Sequence, residues 1–183
     1  HMPEMAITNI TATATSFATD VAPAFHRLKA FGGDFSYSHS SWVFRAESAY
    51  LQSENDDGTN PLIVPTRWDS IVGVERPLFS DFRIQAQFMY RYMPHFTPPG
   101  DAYASELDPR VKALKTQLAA NNAQILNYQE RTRPGATLRL GYSNEKNGLD
   151  GEVFVMGNFV GADYLLRPKL TYAWTDALKT TIG

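Results

Sequence analysis

The chain has no cysteine among its 183 residues. That absence excludes a disulfide framework and a thiolate metal site, and it leaves the compartment open. No run approaches the roughly 20 apolar residues that a membrane-crossing helix needs. Helical spans are therefore excluded; strand spans are not, because polar residues facing a lumen dilute their hydropathy. A basic excess is missing too. The formal net charge is −2, so no nucleic-acid partner is expected. The N-terminus lacks a basic segment followed by an apolar one, so no signal peptide is expected there. What is plentiful is aromatic: 13% of the residues, with nine Tyr and three Trp.

The stretch FRIQAQFMYRYM, residues 82–93, organises the rest. Read at every second residue, Phe82, Ile84, Ala86, Phe88, Tyr90 and Tyr92 fall on one face. Arg83, Gln85, Gln87, Met89, Arg91 and Met93 fall on the other. A period of two is that of a strand, and this strand is long enough to cross a bilayer when tilted. The pattern recurs in about half a dozen segments: from His26 through Phe31, Phe35 and Tyr37; Trp42 to Gln52; Trp68 to Glu75; Thr137 to Ser143; Glu152 to Asp163, apolar on both faces; Leu166 to Trp174; and Ala177 to Gly183. Turns are expected at Ser38–Ser41, Pro77–Asp81, Asn144–Asp150, Asp163–Leu165 and Thr175–Asp176.

Two regions break the alternation. Residues 1–25, small and rich in Thr and Ala, read as an extended arm or loop. Residues 94–134 read as a loop insertion carrying one helix over Asp108–Glu130, with Asp108 as N-cap and Pro109 in the first turn. Val111, Leu114, Leu118 and Ile125 would form its apolar stripe. Packing against its own surroundings is the simpler role for that stripe; a lid or constriction is the functional one. Residues 26–183 are expected to form one β-barrel segment with this insertion.

Alternation does not say which face is inside. Two further features favour a membrane barrel, in which the apolar face is outside. Trp42, Trp68 and Trp174 lie at strand ends with Tyr37, Tyr90, Tyr92 and Tyr172, the placement of an aromatic girdle. Connections also alternate between short and long, with 53–66 and 94–134 the long ones. The expected fold is an all-β, antiparallel up-and-down transmembrane barrel of about eight strands. Arg45, Glu47, Asp69, Glu75, Arg83, Gln85, Gln87, Arg91, Arg139, Arg167 and Lys169 would face its lumen. There they either brace the wall as cross-strand ion pairs or line a path for solutes.

The run HRLKAFGGDFSYSHSSWVFRAESAYLQSE, then WDSIVGVERPLFSDFRIQAQFMYRY, and later DYLLRPKLTYAWTDALKTTIG, resembles porin-like outer-membrane β-barrel proteins of Gram-negative bacteria. LLRPKLTYAWTD is the most similar part. The resemblance covers residues 26–183 apart from the helical insert. It implies a location in the bacterial outer membrane, lipid as a partner and passive passage of small hydrophilic solutes. It names no substrate and transfers no binding residue. It also implies a last strand that spans fully and closes on an aromatic residue. The strand over 177–183 is shorter than the nine to eleven residues a span needs, so the barrel is expected to be a piece of a larger one.

Enzymatic chemistry finds little footing. Ser38, His39, Ser40 and Ser41 are adjacent on a turn, where triad geometry does not form. Glu54, Asp56, Asp57 and Asn60 offer oxygens to a hard cation, but their spacing is not that of an EF-hand loop, and a solvated acidic loop is the simpler reading. His26 and His95 have no companion at zinc-ligand spacing. No enzyme, metal or cofactor is expected. The competing readings are a plugged barrel with an interaction role, and a soluble barrel that binds an apolar ligand.

Overall fold

The computed structural model describes residues 4–12, 17–24, 26–79, 81–175 and 178–183. They form ten strands: β1 (Glu4–Ala12), β2 (Phe17–Ala24), β3 (Leu28–His39), β4 (Trp42–Ser53), β5 (Arg67–Pro77), β6 (Phe82–Tyr92), β7 (Thr132–Asn144), β8 (Leu149–Asn158), β9 (Asp163–Ala173) and β10 (Lys179–Ile182). Helices α1 (Pro99–Ala102) and α2 (Pro109–Ile125) lie between β6 and β7.

Strands β3 to β10 make one eight-stranded sheet in which each strand neighbours the next in sequence. The expected antiparallel meander is therefore present. Closure is not: the sheet is open, with β3 and β10 as its edges. Its strands form where aromatic and β-branched residues alternate with polar ones. Its turns form where the backbone needs a left-handed residue. Ser40 between β3 and β4 has φ 56°, and Gly148 before β8 has φ 63°. A Cβ on Gly148 would lie 2.7 Å from the Ala173 carbonyl oxygen, so only glycine fits that turn.

Several boundaries differ from expectation. Within the expected arm or loop, residues 4–12 and 17–24 form strands: β1 pairs with β2, with a register shift between Ile7 and Asn9. Residues 1–3, 13–16 and 25 of that expected arm lie outside the described residues. Strand β8 ends at Asn158 and the turn spans 159–162, earlier than the expected Asp163–Leu165. Asp176 and Ala177, expected in the last turn and at the start of the last strand, also lie outside the described residues. Helix α2 ends at Ile125 rather than Glu130, because Leu126 caps it and Asn127 turns left-handed at φ 60°.

By contact density the chain divides into two units. The first comprises the described residues of His1–Phe31, Tyr50–Trp68 and Tyr92–Thr132, and it holds the core: Met93, Val111, Ala119, Ala123 and Tyr128. The second comprises those of Gly32–Ala49, Asp69–Arg91 and Arg133–Gly183. Its only buried described residues are Gly135 and Gly157. Among its described residues this stretch of sheet is a single layer whose side chains are at most half-buried on either face.

Candidate functional site

Register fixes the two faces of the second unit. Phe154 pairs with Arg139 and Arg167, and Glu152 pairs with Gly141 and Lys169. Alternation then puts Thr137, Arg139, Glu152, Arg167, Lys169 and Thr171 on one face. Leu138, Leu140, Val153, Val155, Leu166, Leu170 and Tyr172 fall on the other.

The polar face continues across β4 to β6 as an ion-pair ladder. Glu75 stands between two arginines, 3.6 Å from Arg45 and 3.5 Å from Arg83. Asp69 is held by Arg91, whose Nε donates at 2.7 Å and Nη2 at 3.3 Å. Arg139 lies 3.6 Å from Glu152, diagonally across β7 and β8. Thr137 donates to the Gln87 side-chain oxygen at 3.2 Å, linking β7 to β6 on the same face. Of the residues expected to share this face, Arg45, Asp69, Glu75, Arg83, Gln87, Arg91 and Arg139 are joined by these contacts. Arg167 and Lys169 share the face by register alone, while Glu47 is exposed and Gln85 half-buried. The guanidinium of Arg83 is largely solvated, as is that of Arg45. Such pairs contribute about 0–1 kcal/mol each, so the ladder places charge more than it stabilises the sheet.

The opposite face mixes aromatic and aliphatic side chains. Trp42 stacks with Phe44, Phe82 packs on Tyr142 at 4.8 Å, and Tyr172 meets Trp174 edge-on at 4.8 Å. Phe88 stacks with Tyr90, and in the first unit Tyr50 lies 5.1 Å from Trp68. Tyr37 stacks between Phe35 and His39. A Cβ on Gly32 would touch that of Ala49, which puts Phe31, Phe35 and Tyr37 on the aromatic side. Tyr92, in the first unit, keeps the parity of Phe88 and Tyr90 along β6. Between these rings lies an open recess of about 660 Å³, lined by Phe44, Val72, Val74, Phe88, Leu138 and Tyr164 among others.

In the first unit the acidic loop is spent on its own folding. Glu54 accepts from His26 at 2.5 Å, which holds its carboxyl below the usual range. Asp57 caps Thr59, whose backbone N–H and hydroxyl likewise hold the Asp57 carboxyl low. Asp56 accepts from Thr66 Oγ1 at 2.6 Å. Asn55 is buried and bonded to Asn60 and to the Ile63 carbonyl. Among the described residues, no three His, Asp or Glu gather as a metal site would require.

Two residues of interest carried little sequence signal. Glu152 sits in a strand whose Phe154 and Met156 share its face, so no clean alternation singled it out. Arg76 falls on the aromatic side, 4.7 Å over the Trp42 ring. Parity with Val72 and Val74 was the available sign of that placement. No protein-family model matches this chain, and no curated protein is significantly similar to it.

Proposed function

We propose that the eight-stranded sheet is part of the wall of an outer-membrane, porin-like β-barrel that passes small hydrophilic solutes passively. The observation that carries this reading is the second unit's sheet, whose aromatic face is covered by no second layer among the described residues of that unit. A water-soluble domain buries such a face against another layer, whereas lipid covers it in a bilayer. The dimensions agree with a span. Phe82 to Tyr92 is ten residue steps, about 33 Å along the strand and about 25 Å across a bilayer at a tilt near 40°. The ladder of Arg45, Glu75, Arg83, Asp69, Arg91, Arg139 and Glu152 is the water-facing lining, and its mixed charge would set selectivity. The reading requires β3 and β10 to be paired within the membrane, since hydrocarbon tolerates no open strand edge.

The test has two stages. Heat-modifiable gel mobility after refolding into detergent or vesicles is the expected sign of a membrane barrel. A monodisperse protein in detergent-free water would sink the membrane reading. Stepwise conductance in a planar bilayer is expected next; a folded barrel without conductance would point to a plugged, structural role. The recess of about 660 Å³ favours one second reading, an apolar-ligand binder, which predicts detergent-free solubility together with saturable binding of a hydrophobic dye.

A further inference from the structure

One side chain breaks the pattern of the aromatic face. Arg76 shares the parity of Trp68, Ser70, Val72 and Val74 on β5. Among the described residues of the second unit it is the only Lys or Arg on a strand of that face by parity; Arg45, Arg83, Arg91, Arg133, Arg139, Arg167, Lys169 and Lys179 take the other. Its Nε is buried and has no hydrogen-bond partner. The Nε is covered by protein atoms, but the residue as a whole is only half-buried, so an anion from outside the chain can meet the guanidinium at its Nη end. The guanidinium is already held over the Trp42 ring, and a pre-positioned fork loses little freedom when it meets phosphate oxygens. Arg76 is one residue from the end of β5, the depth at which cations and amphipathic rings reach headgroups.

We propose that Arg76 and Trp42 form a binding site for the phosphodiester of an anionic phospholipid of the phosphatidylglycerol type. The phosphate oxygens accept from the two Nη groups, at the end of the guanidinium away from the covered Nε, in an end-on bidentate geometry. The acyl chains lie along Phe44, Val72 and Val74, which line the adjoining recess on the same two strands. An uncompensated guanidinium on an apolar wall selects a net negative headgroup over a zwitterionic one. The inference rests on the bilayer reading above.

The full chain is folded into phosphatidylcholine vesicles doped with phosphatidylglycerol and extracted in mild detergent. Retained lipid is then identified by mass spectrometry, and folding is scored separately by heat-modifiable mobility. The wild-type chain is expected to retain phosphatidylglycerol selectively. Arg76→Gln is expected to fold and retain about tenfold less, the size of one lost charge-assisted bond. Arg76→Lys keeps the charge and loses the fork, so intermediate retention is expected; retention equal to wild type would overturn the assignment even where Arg76→Gln fails to fold. Equal retention by folded wild type and Arg76→Gln overturns the lipid site alone. Failure of the wild type to enter vesicles overturns the bilayer reading with it. Inorganic phosphate is expected not to displace the lipid; displacement would assign the site to free phosphate instead.

Discussion

Asn122 is fully buried on α2, where Nδ2 donates to the Leu62 carbonyl at 3.0 Å and to the Tyr128 hydroxyl at 3.2 Å. The Tyr128 hydroxyl in turn donates to the Pro61 carbonyl at 2.6 Å. One polar knot thus ties the helix to the loop between β4 and β5. Asn122→Ala strands buried acceptors and is expected to cost about 1–3 kcal/mol, read as a lower urea midpoint. Burial pushes the Tyr128 hydroxyl up from 10.0 to about 12, against the Asn122 bond, which lowers it. The folded state therefore favours the neutral phenol. Its contribution is whole below pH 10 and is lost as pH rises through 12, so base unfolding over that window should flatten in Tyr128→Phe. Glycine is forced at position 58, where φ is 68° and a Cβ would fall 1.5 Å from the His95 carbonyl oxygen. Gly58→Ala is expected to destabilise the same loop by more than about 1 kcal/mol, measured by the same urea titration. On the polar face, Glu75→Gln leaves Arg45 and Arg83 without their shared carboxylate; under the proposed channel reading, planar-bilayer reversal potentials are expected to move toward anions.

Among the elements, α2 shows how local signals set a boundary. Asp108 accepts from the Arg110 backbone N–H at 2.8 Å and from that of Val111 at 3.4 Å, and Pro109 fills the first position. Asp108→Ala is expected to cost about 1 kcal/mol, visible as local loss of amide-exchange protection. That start was legible in the sequence. The end was less so: Asn127 is a stop signal, but Gln129 and Glu130 beyond it are good helix formers that let the helix read on. The stripe read from Val111, Leu114, Leu118 and Ile125 is also only partly the packed one. The buried positions are Val111, Ala119, Asn122 and Ala123, and Ile125 is exposed. Small residues pack closely here, and their weak hydrophobicity hides them from a periodicity search. Strands β4, β5 and β6 were legible because one face of each is polar. Strand β8 was not bounded correctly, since Phe154 and Met156 lie on the face of Glu152 and blur the alternation. The β1–β2 pairing was not legible, because residues 3–24 are mostly small Thr and Ala and show no clear two-residue alternation. In the candidate site the charged residues were visible, but their partners depend on register, which composition does not carry.

For the molecule as a whole the question is what covers the aromatic face, and two neighbouring residues on β7 can decide it. Leu138 is on that face, paired with Val155, and Thr137 is on the polar face, paired with Met156. Both belong to the same strand and the same single layer. If the sheet worked in water with both faces wet, an arginine at either position would cost little, as for most surface changes, within about 0.5 kcal/mol. If lipid covers one face, the two positions separate. Leu138→Arg then places a guanidinium toward hydrocarbon near mid-strand, at about 2–4 kcal/mol, while Thr137→Arg adds one more cation to a wet ladder. Folding titrations in vesicles are expected to show that gap, with Thr137→Arg close to wild type. Equal costs for the two variants would leave the bilayer reading without support. A larger cost for Thr137→Arg would invert the faces and make the ion-pair side the packed one.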